Sequence, residues 1–83
     1  MTKVNYLSER LHQVFITTLE NPNFQLEPTL KMGDTPEWDS FVHINLIIAI
    51  ESEFGIEFDS AEIGNLLSVS QILNAITIKT MNK

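Results

Sequence analysis

The first apolar residues along the chain lie three or four positions apart, which is the spacing of one face of an α-helix: Val4, Leu7, Leu11, Val14, Phe15 and Leu19. This pattern predicts a first helix from Thr2 to about Leu19, with Thr2 as its N-cap. The sequence Asn-Pro-Asn at 21–23 should end it, because proline cannot continue a helix.

A second helix is predicted from Ser40 to Phe54. Asp39 is a good N-cap residue, and Gly55 can end the helix in the left-handed conformation. Apolar residues cover more than one stripe of this segment: Phe41, Ile44, Leu46, Ile47, Ile48, Ile50 and Phe54. We therefore expect this helix to be central to the bundle.

The long connection from Glu20 to Trp38 contains all three prolines of the chain and one glycine, so it cannot be a regular helix. We expect Trp38 to anchor it in the core. It should wrap over the core with its other apolar side chains inside: Phe24, Leu26, Leu30 and Met32.

Two capping boxes predict two further helices. The box at 59–62 opens a short third helix, and the box at 68–71 opens a last helix that runs to about Lys79. The inward face of the last helix should be Val69, Ile72, Leu73, Ala75 and Ile76. The predicted fold is all-α: a small four-helix bundle with three longer helices, one short helix and a long first loop.

Length and composition limit the classes of function. A chain of 83 residues supports one core, so residues 1–83 should form a single domain. The net charge of −6 would repel nucleic acid and suits partners with basic patches. Cysteine is absent, and two isolated histidines make no convincing metal site. The longest apolar run, 46–50, is too short to enter a membrane as a span, and we expect a cytoplasmic monomer.

Ser40 is the candidate for covalent chemistry. As the first residue of the second helix it would stand beside backbone amides that lack helical partners, at the positive end of the helix dipole. A phosphate is favoured at such a place. Most serines at helix starts have no such role, so the local pattern alone leaves both interpretations open.

The segments around Ser40 match a known signature. Asp39-Ser40-Phe41 opens the second helix, Glu-Ser-Glu-Phe-Gly-Ile at 51–56 ends it, and Ser68-Val69 opens the last helix. Together with Trp38 and His43, these residues resemble acyl carrier proteins and peptidyl carrier proteins, the phosphopantetheine-binding carrier family. In that family an Asp-Ser-Leu motif opens the second helix of a four-helix bundle.

The resemblance implies that Ser40 carries 4′-phosphopantetheine, transferred from coenzyme A by a phosphopantetheinyl transferase. The arm would hold an acyl group as a thioester and present it to acyl-loading, acyl-transfer or condensing enzymes, as in fatty acid or polyketide biosynthesis. The protein itself would not be an enzyme. Asp39 and His43 would lie beside the arm, and we expect His43 on the helix surface, where it could help to hold the phosphate.

The chain departs from the family pattern where partners would dock. Phe41 replaces the usual leucine, and Val42 and Asn45 stand where fatty-acid carriers are often acidic. This favours a carrier for a specialised pathway. Candidate partner-binding residues are Phe41, Val42, Asn45, Glu51, Glu53 and Ile63. Ordinary core packing of Ile63 and Leu66 is an equally good interpretation.

Two alternatives come from other classes of function. A catalytic triad of Asp39, Ser40 and His43 is rejected, because the chain lacks a Gly-x-Ser-x-Gly elbow and a small bundle offers little room for an oxyanion hole. An unmodified helical interaction module with the carrier fold remains open.

Overall fold

Four α-helices follow one another along residues 3–81, the part of the chain that the computed structural model describes. They are α1 (Lys3–Leu19), α2 (Ser40–Phe54), α3 (Ser60–Ile63) and α4 (Val69–Met81). No strand occurs within these residues, where Lys31 and Ser68 form an isolated antiparallel β-bridge. The prediction of a small all-α bundle is confirmed.

The predicted helix boundaries are close to those observed, because the signals at the helix ends are local. Asp39 caps α2, and Gly55 ends it in the left-handed conformation, with φ 64° and ψ 40°. The capping box at 59–62 is formed, and α4 runs two residues beyond the predicted end at Lys79. The predicted cap of α1, Thr2, lies outside the described residues.

The core lies where α1 packs against α2 and α4. Side chains from all the longer helices and from the connections between them fill it, and Trp38 is the largest that is fully buried. The other core residues are Leu7, Leu11, Val14, Phe15, Leu19, Phe24, Leu46, Ile47, Ile50, Phe54, Ile56, Phe58, Leu66, Val69, Ile72 and Ile76.

The first connection wraps over this core as predicted. Phe24 is buried and stacks on Phe15 with ring centroids 5.3 Å apart, while Leu26, Leu30 and Met32 are half-buried against the core. Backbone hydrogen bonds then hold the connection against the segment that leads into α4: the Met32 amide donates to the Leu67 carbonyl at 2.8 Å and the Val69 amide to the Leu30 carbonyl at 2.9 Å.

The expectation that α2 is central to the bundle is wrong, because α1 is the helix that packs against both α2 and α4. Phe41, Ile44 and Ile48 are 77%, 62% and 58% exposed, and their spacing places them on one face of the helix. One side of α2 is covered by α1 and the core. The side with these three residues stays exposed, because α3 is a single turn and does not cover it. We call Phe41, Ile44 and Ile48 the α2 stripe.

The C-terminal part of α2 is fastened to its surroundings by polar contacts. The Arg10 side chain donates from Nε to Glu53 Oε2 at 3.0 Å, and its guanidinium lies 4.6 Å from the centroid of the Phe54 ring. Glu51 Oε2 accepts the Phe58 amide at 2.8 Å. These contacts join α1, the end of α2 and the segment that follows it.

Candidate functional site

The candidate site lies at the entrance of α2, where Asp39 forms the helix cap. Its backbone is extended, with φ −100° and ψ −179°, and its Oδ1 accepts the Val42 amide at 2.8 Å. The Asp39 carbonyl accepts the His43 amide at 2.9 Å. Ser40 follows directly as the first helical residue, and it is exposed. The local geometry is therefore the one that the sequence pattern predicted.

The polar environment of Ser40 is suited to an anion. The cap satisfies the amides of Val42 and His43, whereas the amides of Ser40 and Phe41 have no hydrogen-bond partner among the described residues. Residues 40–50 of α2 carry no charged side chain. Apart from Asp39 itself, no carboxylate on the first turns of α2 would oppose an anion at this end of the helix.

Trp38 holds the chain in place just before the cap. Its side chain is fully buried and meets the Phe15 ring edge-on, with centroids 5.0 Å apart and an interplanar angle of 85°. The Trp38 carbonyl accepts the Gly33 amide at 2.8 Å. The predicted anchoring of the loop by Trp38 is confirmed.

His43 is not on the helix surface, and that prediction is wrong. The residue is only 6% exposed, and its Nδ1 accepts a hydrogen bond from Trp38 Nε1 at 3.0 Å. The buried Nε2 has no well-formed hydrogen bond. Burial lowers the pKa of His43 below its usual value of 6.5, and the Leu66 backbone opposes this by raising it.

The burial of His43 had a sequence signal that was missed. His43 falls three or four residues before Leu46 and Ile47, which continue along the buried face to Ile50 and Phe54. Periodicity therefore assigns His43 to the core side of α2. The ring is turned away from solvent, so its predicted contact with a phosphate at Ser40 finds no support in this geometry.

The predicted partner-binding residues occupy different parts of the surface. Phe41, next to Ser40, and Asn45, more than one helical turn further along α2, are exposed, and Val42 is half-buried. Glu51 and Glu53 lie about three helical turns further along α2 and already have the intramolecular partners described above. Ile63 is half-buried against the core, and Leu66 is buried. For Leu66 the interpretation as core packing is confirmed.

A second Asp-Ser pair, which the sequence interpretation treated only as a cap, has nearly the same local geometry. Asp59 is extended, with φ −86° and ψ 173°, and its side chain accepts the Glu62 amide at 2.8 Å. Ser60 is the first residue of α3 and is exposed. Here, however, Glu62 Oε1 accepts the Asp59 amide at 3.0 Å, which places a second carboxylate on the first turn.

Within residues 3–81, no group of three or more histidine or carboxylate side chains is arranged to hold a metal ion. The same residues include no helix with the length and apolar character needed to cross a membrane. No family model, no curated protein and no solved structure matches this chain at a significant level.

Proposed function

We propose that this protein is an acyl carrier protein, which holds its cargo as a thioester on a 4′-phosphopantetheine arm attached to Ser40. The observation that carries the proposal is the exposed Ser40 hydroxyl at the entrance of a long helix, beside two amides without partners. A phosphodiester on Ser40 would receive hydrogen bonds from the Ser40 and Phe41 amides and would sit at the positive end of the helix dipole.

The division of labour follows from the chemistry of the arm. The bound group supplies a terminal thiol, which this chain lacks because it contains no cysteine. The protein contributes a tether, which raises the concentration of the cargo near whichever enzyme is docked. Loading, transfer and condensation would take place on partner enzymes, and a separate phosphopantetheinyl transferase would install the arm.

The α2 stripe supports docking by partner enzymes. It begins at Phe41, next to Ser40, so a protein that contacted the stripe would also lie over the arm. The α2 stripe and the other residues of the segment 40–50 carry no charged side chain, whereas the molecule as a whole carries a charge of −6. We expect the central contacts with a partner to be apolar and the charged contacts to be peripheral.

Intact-mass measurement tests the proposal, and the chain offers a matched control. The protein is co-expressed with a broad-specificity phosphopantetheinyl transferase, and a mass increase of one phosphopantetheine group is expected. Ser40→Ala should abolish the increase, while Ser60→Ala should leave it unchanged although Ser60 has the same cap geometry. Both variants should retain helicity, because removal of an exposed hydroxyl costs well under ~1 kcal/mol. An unmodified wild-type protein, or modification that survives in Ser40→Ala, would contradict the proposal.

The second candidate function is an unmodified helical interaction module. The α2 stripe favours this function, because three exposed apolar side chains on one face of a helix indicate a contact surface whether or not Ser40 is modified. The same measurement separates the two functions. A well-folded protein that the transferase leaves unmodified would be assigned to the module.

A further inference from the structure

The indole of Trp38 and the imidazole of His43 form a buried hydrogen bond that spans the helix entrance. Trp38 stands two residues before Ser40 and His43 three residues after it, and the two rings are joined at 3.0 Å between Nε1 and Nδ1. The bond thus closes a loop of chain whose exposed residues are Asp39, Ser40 and Phe41. A polar bond between two core side chains is costly to break, because neither group can turn to water.

Each end of this loop is also tied to the rest of the domain. Trp38 is held by the edge of its ring against Phe15 and by the Gly33 amide on its carbonyl. His43 is held through its own amide to the Asp39 carbonyl and by burial on the core side of α2. Trp38 and His43, which stand on either side of Ser40 in the chain, therefore have little conformational freedom. The Ser40 side chain itself makes none of these contacts.

The direction of the bond fixes the protonation state of His43. An indole nitrogen can only donate, so Nδ1 of His43 must accept with its lone pair, and the ring must be neutral with its proton on Nε2. Protonation of His43 would place two N–H groups face to face and would remove the bond. Burial acts in the same direction as this requirement, since it lowers the pKa of His43.

No charged side chain of the described residues contributes to this pKa shift. Most titratable groups on the neighbouring elements have partners elsewhere, and the others, Glu9, Glu20, Glu27, Lys31 and Glu57, are exposed. On α1, Arg10 pairs with Glu53, and His12 Nε2 donates to the Phe24 carbonyl. Before α2, Asp34 accepts the Lys31 amide, Glu37 accepts from the Asn21 side chain, and Asp39 caps α2. In the last turn of α2 and beyond it, Glu51 accepts the Phe58 amide, Asp59 caps α3, and Glu62 pairs with Lys79.

We infer that Trp38 and His43 are positioning residues that fix the presentation of Ser40 to a modifying enzyme, and that only neutral His43 can do so. The part of this inference that concerns modification rests on the proposed function. The buried bond and its loss on protonation do not. The rate at which Ser40 is modified would then depend on pH through His43, a residue that does not touch the arm.

Two spectroscopic measurements test the bond in the unmodified protein. The chain has one tryptophan, so its indole N–H resonance reports this contact alone. Titration by NMR from about pH 8 to about pH 4.5 should show His43 titrating below 6.5, with the indole resonance shifting at the same midpoint. A His43 that titrates at or above 6.5, or an indole resonance that is unchanged while His43 titrates, would overturn the inference.

The positioning role is tested by the rate of Ser40 modification by an added phosphopantetheinyl transferase. His43→Leu, which leaves the indole without an acceptor, should lower kcat/KM about tenfold, whereas His43→Gln, whose amide oxygen can accept, should stay within about threefold of wild type. The double variant Trp38→Phe with His43→Leu removes donor and acceptor together. It should recover part of the stability lost in the single variant.

The double variant also corrects for titration of the transferase itself. The ratio of the wild-type rate to the double-variant rate, measured at each pH, should fall as His43 becomes protonated. A ratio that is constant across the His43 midpoint, or a His43→Gln variant as slow as His43→Leu, would show a merely structural role. If Ser40 is never modified, the proposed function fails, and the NMR titration still decides the fate of the buried bond.

Discussion

The entrances of α2 and α3 are built alike and differ in what surrounds them. Each has a buried aromatic residue, then an extended aspartate cap, then an exposed serine: Trp38-Asp39-Ser40 and Phe58-Asp59-Ser60. The first opens a helix of 15 residues and the second a helix of 4. The local motif therefore cannot be what distinguishes a site from a turn.

Four differences favour the first entrance for covalent modification. A longer helix aligns more peptide dipoles behind Ser40. Its first turn carries no acidic residue, whereas Glu62 occupies the first turn of α3. The α2 stripe begins next to Ser40. The Trp38 indole donates a hydrogen bond to His43, whereas the Phe58 ring has no hydrogen-bonding atom.

The largest effect is expected from removing the aromatic anchor. Trp38→Ala should lower the free energy of unfolding by about 3–5 kcal/mol, because it empties a fully buried site. Phe58→Ala should cost about 1 kcal/mol less, since it leaves no partner comparable to His43 Nδ1 unpaired. Urea unfolding followed by circular dichroism measures both. Phe41→Ala, at an exposed aromatic on α2, is the control and should change stability by less than about 1 kcal/mol.

The loss expected for Trp38→Ala is a large share of the free energy of unfolding of a domain of this size, which is roughly 4–12 kcal/mol. Trp38→Phe therefore accompanies the alanine variant, because it keeps most of the buried ring and removes the indole donor. Equal losses for Trp38→Ala and Phe58→Ala would erase the difference in anchoring between the entrances.

The next effect concerns the surface beside Ser40. Ile44→Asp should lower kcat/KM for modification about tenfold, because it places a charge in the middle of the α2 stripe where a partner would bury apolar area. Ile78→Asp is the matched control, since Ile78 is 52% exposed on α4, far from the stripe in sequence. Both variants should unfold at nearly the wild-type urea concentration. A similar loss of rate in both would argue against the stripe as the docking surface.

A smaller effect is expected from the caps themselves. Asp39→Ala should cost about 1 kcal/mol of stability, because α2 loses the acceptor for the Val42 amide. Asp59→Ala should cost less, since it shortens a single turn rather than a core helix. Thermal unfolding measures the difference, and Asp39→Asn should retain most of the stability because asparagine caps equally well. A larger loss for Asp59→Ala would reverse the ranking of the two entrances.

The smallest effect is a dependence of stability on pH. The pKa of His43 is lowered in the folded protein, so the unfolded chain binds a proton more readily. Stability should thus be complete above 6.5 and should fall as the pH drops from there to the folded pKa. The carboxyl groups of Glu37 and Glu62, whose pKa values are lowered from 4.5 by hydrogen bonds, add a loss only at more acidic pH.

Urea unfolding between about pH 7 and about pH 5 isolates the contribution of His43. His43→Gln should flatten the dependence in this window. A dependence on pH that persists unchanged in His43→Gln would show that the buried bond is not the titrating element.

The sequence predicted the helices and their ends well, because capping is decided within a few residues. Asp39, Gly55 and the two boxes each satisfy backbone groups of their own helix. Burial of the long connection was also predictable, since four apolar side chains in a segment without regular structure must find cover.

The environment of α2 was not predictable in the same way. The positions of α1 and α4 decide which apolar face of α2 is covered. Exposed apolar side chains are common on protein surfaces, so composition alone does not show that every apolar residue of α2 is buried. The pairing of Trp38 with His43 is likewise a tertiary contact, although the periodicity of the buried face already places His43 inward. The position of Ser40 at the start of α2 was predictable from the sequence. The contact between Trp38 and His43 and the exposed face of α2 were not.

The α2 stripe also has a consequence for the behaviour of the protein at high concentration. Apolar side chains exposed in a row attract copies of themselves, while a charge of −6 on each molecule keeps those copies apart. At physiological ionic strength the Debye length is about 8 Å, and near 1 M salt it is about 3 Å. The colloidal balance therefore shifts toward self-association as salt is added, and a dilute, low-salt buffer is the condition in which the stripe stays available to other proteins.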